Sequence, residues 1–136
     1  MYLEDDKFYV SIKGVILHAQ KVLMLCKPTG TWDLPGGRMG ANESPKRSLM
    51  REVHEETGLT VRPGKLLHRW VRRRPGKGDV FLVSHFCILT DPWPEIILSH
   101  EHDSMGWFTM QEYEAMPLSP GIKKSVRRAF RHRKMN

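Results

Sequence analysis

Only two cysteines occur in the 136 residues, Cys26 and Cys87, and each lies inside an apolar run. Two thiols so placed build no disulfide framework, and they lack the CxxC spacing of a metal or redox site. Both read as buried thiols that pack as small hydrophobes. Long apolar runs are missing too: none approaches the roughly 18 residues that a membrane-spanning helix needs. Residues 1–6 carry Glu4, Asp5 and Asp6 where a signal peptide would carry cations. The expectation is a cytoplasmic protein with no membrane partner. Internal repeats, low-complexity segments and linker-like stretches are also absent. What remains is a single domain over 1–136, long enough for one core and not two.

Acidic residues are missing from two long stretches. Residues 62–77 hold Arg62, Lys65, Arg69, Arg72, Arg73, Arg74 and Lys77 with no anion. Residues 123–134 hold Lys123, Lys124, Arg127, Arg128, Arg131, Arg133 and Lys134, again with no anion. The net charge of +7 therefore hides a division: outside these two runs, 8 cations face 15 anions. Basic patches attract phosphates, and solvated helix faces carry the same composition.

Apolar periodicity and turn residues place the elements. Residues 9–17 and 21–26 read as two strands around a turn near His18, Ala19 and Gln20. Trp32, Asp33 and Leu34 form a short extended piece stopped by Pro35, Gly36 and Gly37. Ser44 can cap a helix that Pro45 opens, and Gly58 ends it, so a helix is expected over 45–57. Strands follow over 59–72 and 79–89, joined by a basic turn over 73–78. Pro92, Trp93 and Pro94 break the chain, Gly106, Trp107 and Phe108 make a short strand, and Thr109 can cap a helical turn. Ser119 and Pro120 repeat the helix-start signal, and Ile122, Val126 and Phe130 share one face of an amphipathic helix. This order indicates a mixed α/β domain.

The helix over 45–57 is poorly designed for stability alone. Glu52, Glu55 and Glu56 stand at i, i+3 and i+4, which puts three like charges within about 6 Å of one another. They occupy the negative end of the helix dipole, while Lys46 and Arg47 occupy the positive end. Each misplacement costs only a few tenths of a kcal/mol when exposed, but all point the same way. A divalent cation would resolve the conflict. Hard oxygen ligands on neighbouring helical turns, with coordination positions left for water and phosphate, is a pattern suited to Mg²⁺. Arg51 can pair with one carboxylate, and Leu49 and Val53 at i, i+4 would anchor the opposite face to a sheet.

The segment extends beyond the helix. Gly37, five residues, Glu43, seven residues, then Arg51, Glu52, Val53, His54, Glu55, Glu56, Thr57, Gly58 and Leu59 resembles the Nudix box, GX5EX7REUXEEXGU, at all nine specified positions. Trp32 to Gly36 also resembles the family's approach to the box. The resemblance implies an α/β/α sandwich around a mixed sheet. It further implies hydrolysis of a nucleoside diphosphate linked to another moiety, using Mg²⁺ or Mn²⁺. By this resemblance Glu52, Glu55 and Glu56 are the metal ligands and catalytic carboxylates, and the Gly36 carbonyl is a further candidate ligand. Arg51 would orient a carboxylate, Glu43 would pair with it at the loop–helix junction, and Gly37 would support the loop. Two positions differ from many members. Asn42 stands where they have Gly, and Asn tolerates the same left-handed geometry. Gly40 stands where they carry an acid, which removes one potential metal ligand.

A base must still take the proton from water. Glu101, in the segment His100, Glu101, His102, Asp103, resembles the acidic loop before the Trp-containing strand in many members. It is the candidate auxiliary base or ligand, with His102 and Glu55 as rivals. The remaining histidines His18, His54, His68, His85 and His132 are read as structural. The box specifies diphosphate chemistry and leaves the substrate open. A nucleoside triphosphate, dinucleoside polyphosphate or nucleotide sugar is the leading class, with Trp70, Phe81 or Trp107 available to stack on a base and Arg72 and Arg74 to meet phosphate. An RNA 5′ end, held by the basic strand and C-terminal helix, is the second reading. A non-catalytic nucleotide-binding regulatory domain is the third, and the intact box argues against it. Members of the family commonly dimerise, so a homodimer is also among the expectations.

Overall fold

The computed structural model describes residues 8–91 and 94–134. The acidic start and two residues of the expected chain break, Pro92 and Trp93, lie outside them, as does the side chain of Lys134.

A long first strand, β1 (Phe8–His18), turns through Ala19 and Gln20 into β2 (Lys21–Cys26). Both turn residues have positive φ, 50° and 62°, the geometry of a two-residue hairpin turn that matches strand twist. The short strands β3 (Trp32–Asp33) and β4 (Gly36–Arg38) precede helix α1 (Pro45–Thr57). Antiparallel β5 (Val61–Arg72) and β6 (Asp79–Leu89) follow. β7 (Ser104–Phe108), the short α2 (Met110–Glu114) and α3 (Pro120–Lys134) complete the described chain.

β1 organises the sheet. It runs parallel to β6 from Phe8 to Ile16, takes β4 antiparallel on its other edge, and gives its last two residues to β2. β2 in turn pairs antiparallel with β3 and β7. The two-residue alternation of strand side chains then separates two cores. Ile12 and Ile16 of β1 and Leu23 and Leu25 of β2 meet Leu49 and Val53 of α1. Val15, Leu17, Val22 and Met24, the alternate positions, meet Ile122, Val126, Ala129 and Phe130 of α3. The fold is the α/β/α sandwich around a mixed sheet that the sequence suggested.

Local signals set the helix ends. The Ser44 side chain accepts from the Arg47 amide, Pro45 opens the first turn, and Gly58 closes α1 at φ 76°. Two expected boundaries move. β5 begins at Val61 rather than Leu59, because the Leu59 amide is taken by Thr57 Oγ1 at 3.1 Å. Gly36 and Gly37 do not simply end an extended piece: they are part of β4, paired to Ile12 and Lys13. Gly36 adopts φ 137°, and a Cβ there would strike the Ile12 carbonyl oxygen, so only glycine lets β4 approach β1. Cys26 and Cys87 are free and buried, as expected. Among the described residues, no helix is long and apolar enough to cross a membrane.

Gly14 of β1 sets the distance between α1 and the sheet. A methyl there would stand 2.9 Å from Cys87 Sγ and 3.3 Å from Leu49 Cδ1. Gly14→Ala is expected to destabilise the protein by about 1–3 kcal/mol through overpacking. Cys87→Ala in the same chain should recover part of the loss in urea unfolding. Full stability of the single variant would show that α1 yields there freely.

Candidate active site

α1 is held to the sheet by its apolar stripe, and this fixes where its carboxylates stand. Leu49 and Val53 are fully buried, and burial of such side chains is worth roughly 1.5–3 kcal/mol each. That outweighs the tenths of a kcal/mol lost to charge placement, so packing decides the helix orientation. Glu52 and Glu56 consequently face β4, and Glu55 faces solvent.

Glu56 is the most deeply set, 6% exposed, with Oε1 accepting from the Gly36 amide at 2.7 Å. Burial pushes its carboxyl up to about 7, against the lowering effect of that amide and of Lys13. Glu52 lies flat on the β4 backbone. A methyl on Gly37 would come within 2.6 Å of Glu52 Oε2, so the glycine is a requirement of this approach. Arg51 binds Glu43 through two nitrogens, Nε to Oε2 at 2.9 Å and Nη2 to Oε1 at 3.0 Å. Its Nη1 reaches Glu52 at 3.1 Å and Glu55 at 3.2 Å. Hydrogen bonding from Arg51 holds the Glu43 carboxyl below its ordinary range. Ser48 completes the junction by donating to Glu43 and accepting from the Gly40 amide. A side chain at Gly40 would collide with the Glu43 carboxylate, which gives a physical reason for a residue without Cβ there. Asn42 takes φ 65°, the left-handed geometry anticipated for it.

The segment after β6 reaches the same place by backbone pairing. The amides of Ile97 and Ser99 donate to the carbonyls of Thr57 and Glu56, at the open end of α1, and the Asp103 amide donates to Cys26. This brings Glu101 and His102 to a cavity of about 480 Å³ that Glu52, Glu56, Gly36 and Gly37 also line. His102 Nε2 lies 3.7 Å from Glu56 Oε2. Burial lowers the His102 pKa, so this neighbour is neutral near pH 7 and the contact is not an ion pair.

The same cavity is also lined by Lys13, Lys27, Arg38 and Arg72. Of these only Arg72 was anticipated. Lys13 is tied to Asp33 at 3.0 Å with both side chains almost buried. The available signal was Ser11 and Lys13 at alternate positions of an otherwise apolar strand. Other anticipated residues lie elsewhere. Trp70 lines an adjoining cavity beside His68. Arg74 braces the β5–β6 turn, with Nε on the Gly78 carbonyl and its guanidinium 5.5 Å from the Tyr9 ring centre. Phe81 packs on Phe8, and Trp107 packs beside His18.

In kind, the donors suit a hard divalent cation: the carboxylate oxygens of Glu52 and Glu101 line the cavity beside the buried carboxyl of Glu56. In position, they are not gathered. Among the described residues no three His, Cys, Asp or Glu side chains converge at metal-binding distance, and Glu55, 55% exposed, is held by Arg51. Glu56 keeps one oxygen free of the Gly36 amide, and Glu52 and Glu55 would each have to exchange a contact with Arg51 for the ion.

A domain with this fold and this carboxylate-lined cavity is of the class that hydrolyses phosphoric anhydrides. The NUDIX domain model matches residues 8–129, and the chain belongs to that family. It is 25% identical over 114 residues to the CTP pyrophosphohydrolase of Escherichia coli K12, covering 80% of this chain and 82% of that one. It is 31% identical over 78 residues to an RNA pyrophosphohydrolase of Cellvibrio japonicus, covering 53% of this chain and 46% of that one. The crystal structure of a MutT protein from Methanosarcina mazei superposes with a TM-score of 0.79 at 25% identity, over 99% of this chain and 100% of that one.

The raised carboxyl of Glu56 has a measurable consequence without metal. A carboxyl lifted above its unfolded value keeps its proton longer in the native state, so stability is lost as pH rises through the folded value. Urea unfolding in chelator should therefore weaken between about pH 4.5 and about pH 7, by on the order of 3 kcal/mol at most. Glu56→Gln should flatten that slope; an unchanged slope would place the titration elsewhere.

Proposed function

We propose that the chain hydrolyses a diphosphate linkage in a nucleoside diphosphate joined to a further group, with Mg²⁺ or Mn²⁺ as cofactor. The observation that carries this reading is that carboxylates and cations line one cavity together. Glu52, Glu56 and Glu101 line it together with Lys13, Lys27, Arg38 and Arg72. The carboxylates suit a cation and the cations suit phosphate oxygens, so a diphosphate with its metal would be complementary to this mixed lining. The name of the Escherichia coli relative, a CTP pyrophosphohydrolase, supports a nucleoside triphosphate as one such substrate.

In this reading Glu52, Glu56 and, once free of Arg51, Glu55 hold the metal, with the Gly36 carbonyl as a further ligand. The bound ion would lower the pKa of water and neutralise phosphate oxygens. Gly37 lets Glu52 lie against β4, and Glu43 keeps Arg51 in place so that Arg51 restrains Glu52 and Glu55. Arg72 meets the phosphates, and Trp70 flanks the nucleoside. Glu101 is the proposed base, because it lines the cavity on a segment fixed to α1. Neutral His102 beside it is the competing acceptor.

The test is a substrate panel with Mg²⁺ covering nucleoside triphosphates, dinucleoside polyphosphates and nucleotide sugars, with products identified. Metal-dependent turnover is expected on at least one class, lost in Glu52→Gln and Glu56→Gln with folding intact. Glu101→Gln should lower kcat by about 10²–10⁴-fold if it is the base. Unchanged turnover in both box variants would remove the site assignment. Binding without turnover across the panel would leave a nucleotide-binding regulatory domain.

A further inference from the structure

The carboxylate cavity does not end at Arg72. Strand registers continue its floor across the sheet: Arg38 of β4 opposes Ser11 of β1, Ser11 opposes Leu82 of β6, and Leu82 opposes Trp70 of β5. Three strand spacings put Trp70 about 14 Å from Arg38. Around Trp70 lies a second, mainly apolar cavity of about 510 Å³, sharing Asp33, Arg72 and Leu82 with the first. Its aromatic wall is Trp70 stacked on His68, ring centres 5.2 Å apart and planes 14° apart, with Gly121 of α3 packed against the indole.

The second cavity opens into a third of about 620 Å³, through Pro120 and Lys124, which line both. Every charged residue lining this third space is a cation. Arg128 donates to the Leu67 carbonyl and Lys123 to that of Glu114, so both serve the fold. The exposed stripe is Lys124, Arg127 and Arg131, at i, i+3 and i+7, a run of about 10 Å along the helix. Arg127 is paired with Glu114, whereas Lys124 and Arg131 have no carboxylate partner among the described residues. The basic run of β5 contributes less than its composition suggests. Strand alternation puts Arg69 on the opposite face from His68 and Trp70.

The order is therefore a carboxylate site for an anhydride, an aromatic slot, then a row of cations. A free nucleotide would occupy the first two and leave the row unused. A nucleic acid chain has the matching order of phosphates, base and next phosphates. An aromatic slot beside a cationic groove is also how single strands are held without base pairing. We propose, building on the diphosphate reading above, that the substrate of this site is the 5′-triphosphate end of a single-stranded nucleic acid. The α–β anhydride lies among Glu52, Glu56 and Arg72, the first base lies against Trp70, and the following phosphates lie on Lys124, Arg127 and Arg131. Water adds to the α- or β-phosphorus, the P–O bond of the α–β bridge breaks, and the water's proton passes to Glu101 and on to the medium. Pyrophosphate leaves, and the strand retains a 5′-monophosphate.

The full chain with Mg²⁺ is assayed on nucleoside triphosphates and on 5′-triphosphate RNA and DNA octamers. Octamer binding is followed by fluorescence anisotropy between 50 and 200 mM salt. An octamer of RNA or DNA should exceed its own first nucleoside triphosphate in kcat/KM by about tenfold or more at low salt, where binding to phosphates counts most. Replacing both Arg127 and Arg131 by Gln should abolish that excess while leaving nucleoside triphosphate turnover within about twofold. It should also reduce the logarithmic salt slope of octamer binding by about 0.7 for Arg131, and by about 1.4 where Arg127 exchanges Glu114 for a phosphate. Octamers processed no better than nucleotides, or an excess that survives the double substitution, would overturn the proposal and leave the diphosphate reading standing. Failure to hydrolyse any anhydride would overturn that reading itself.

Discussion

The hydrogen bond from the Gly36 amide to Glu56 is the constraint on which the site depends. It joins the C-terminal half of α1 to the edge strand β4 as a buried bond, 2.7 Å long and between residues 20 positions apart. A carboxylate is a costly group to bury, and it stays because a backbone donor meets it there. Gly36 can present that donor only because it lacks Cβ, since β4 runs hard against the Ile12 carbonyl. The same approach puts Gly37 under Glu52. Two consecutive glycines thus set the positions of two carboxylates, and the apolar stripe of α1 supplies the energy that keeps them there.

Electrostatics and packing oppose each other along this helix, and the outcome is spatial. Arg51 absorbs much of the repulsion by binding Glu43, Glu52 and Glu55 together. Glu56 lies beyond its reach and retains its proton to higher pH instead. One carboxylate is neutralised by a neighbour and another by a proton. Both devices neutralise charge without fixing it, so a cation that bound here would compete with Arg51 at one carboxylate and with a proton at the other.

What was legible in the sequence is what local chemistry determines. Ser44, Pro45 and Gly58 bound α1 because caps act within a few residues, and the structure ends the helix where they indicate. Ile122, Val126 and Phe130 marked the buried face of α3 because helical period is local too. The box glutamates could be located on one helix, but their separate fates could not: only the approach of β4 distinguishes buried Glu56 from exposed Glu55. The Lys13–Asp33 pair and the strand role of Gly36 escaped for the same reason. Each depends on a partner about 20 residues away or more, set by sheet register. The runs of cations were conspicuous by composition and misleading in detail, since Arg74 and Arg128 spend their donors on backbone carbonyls.

The docking of residues 97–99 on the end of α1 has a mechanical consequence. The carbonyls of Glu56 and Thr57 are held by amides some forty residues further along the chain. Unwinding that end of the helix therefore costs the two hydrogen bonds that hold the segment carrying Glu101 and His102. Helix and segment are thus coupled, and a displacement of one is passed to the carboxylates of the other through two backbone hydrogen bonds.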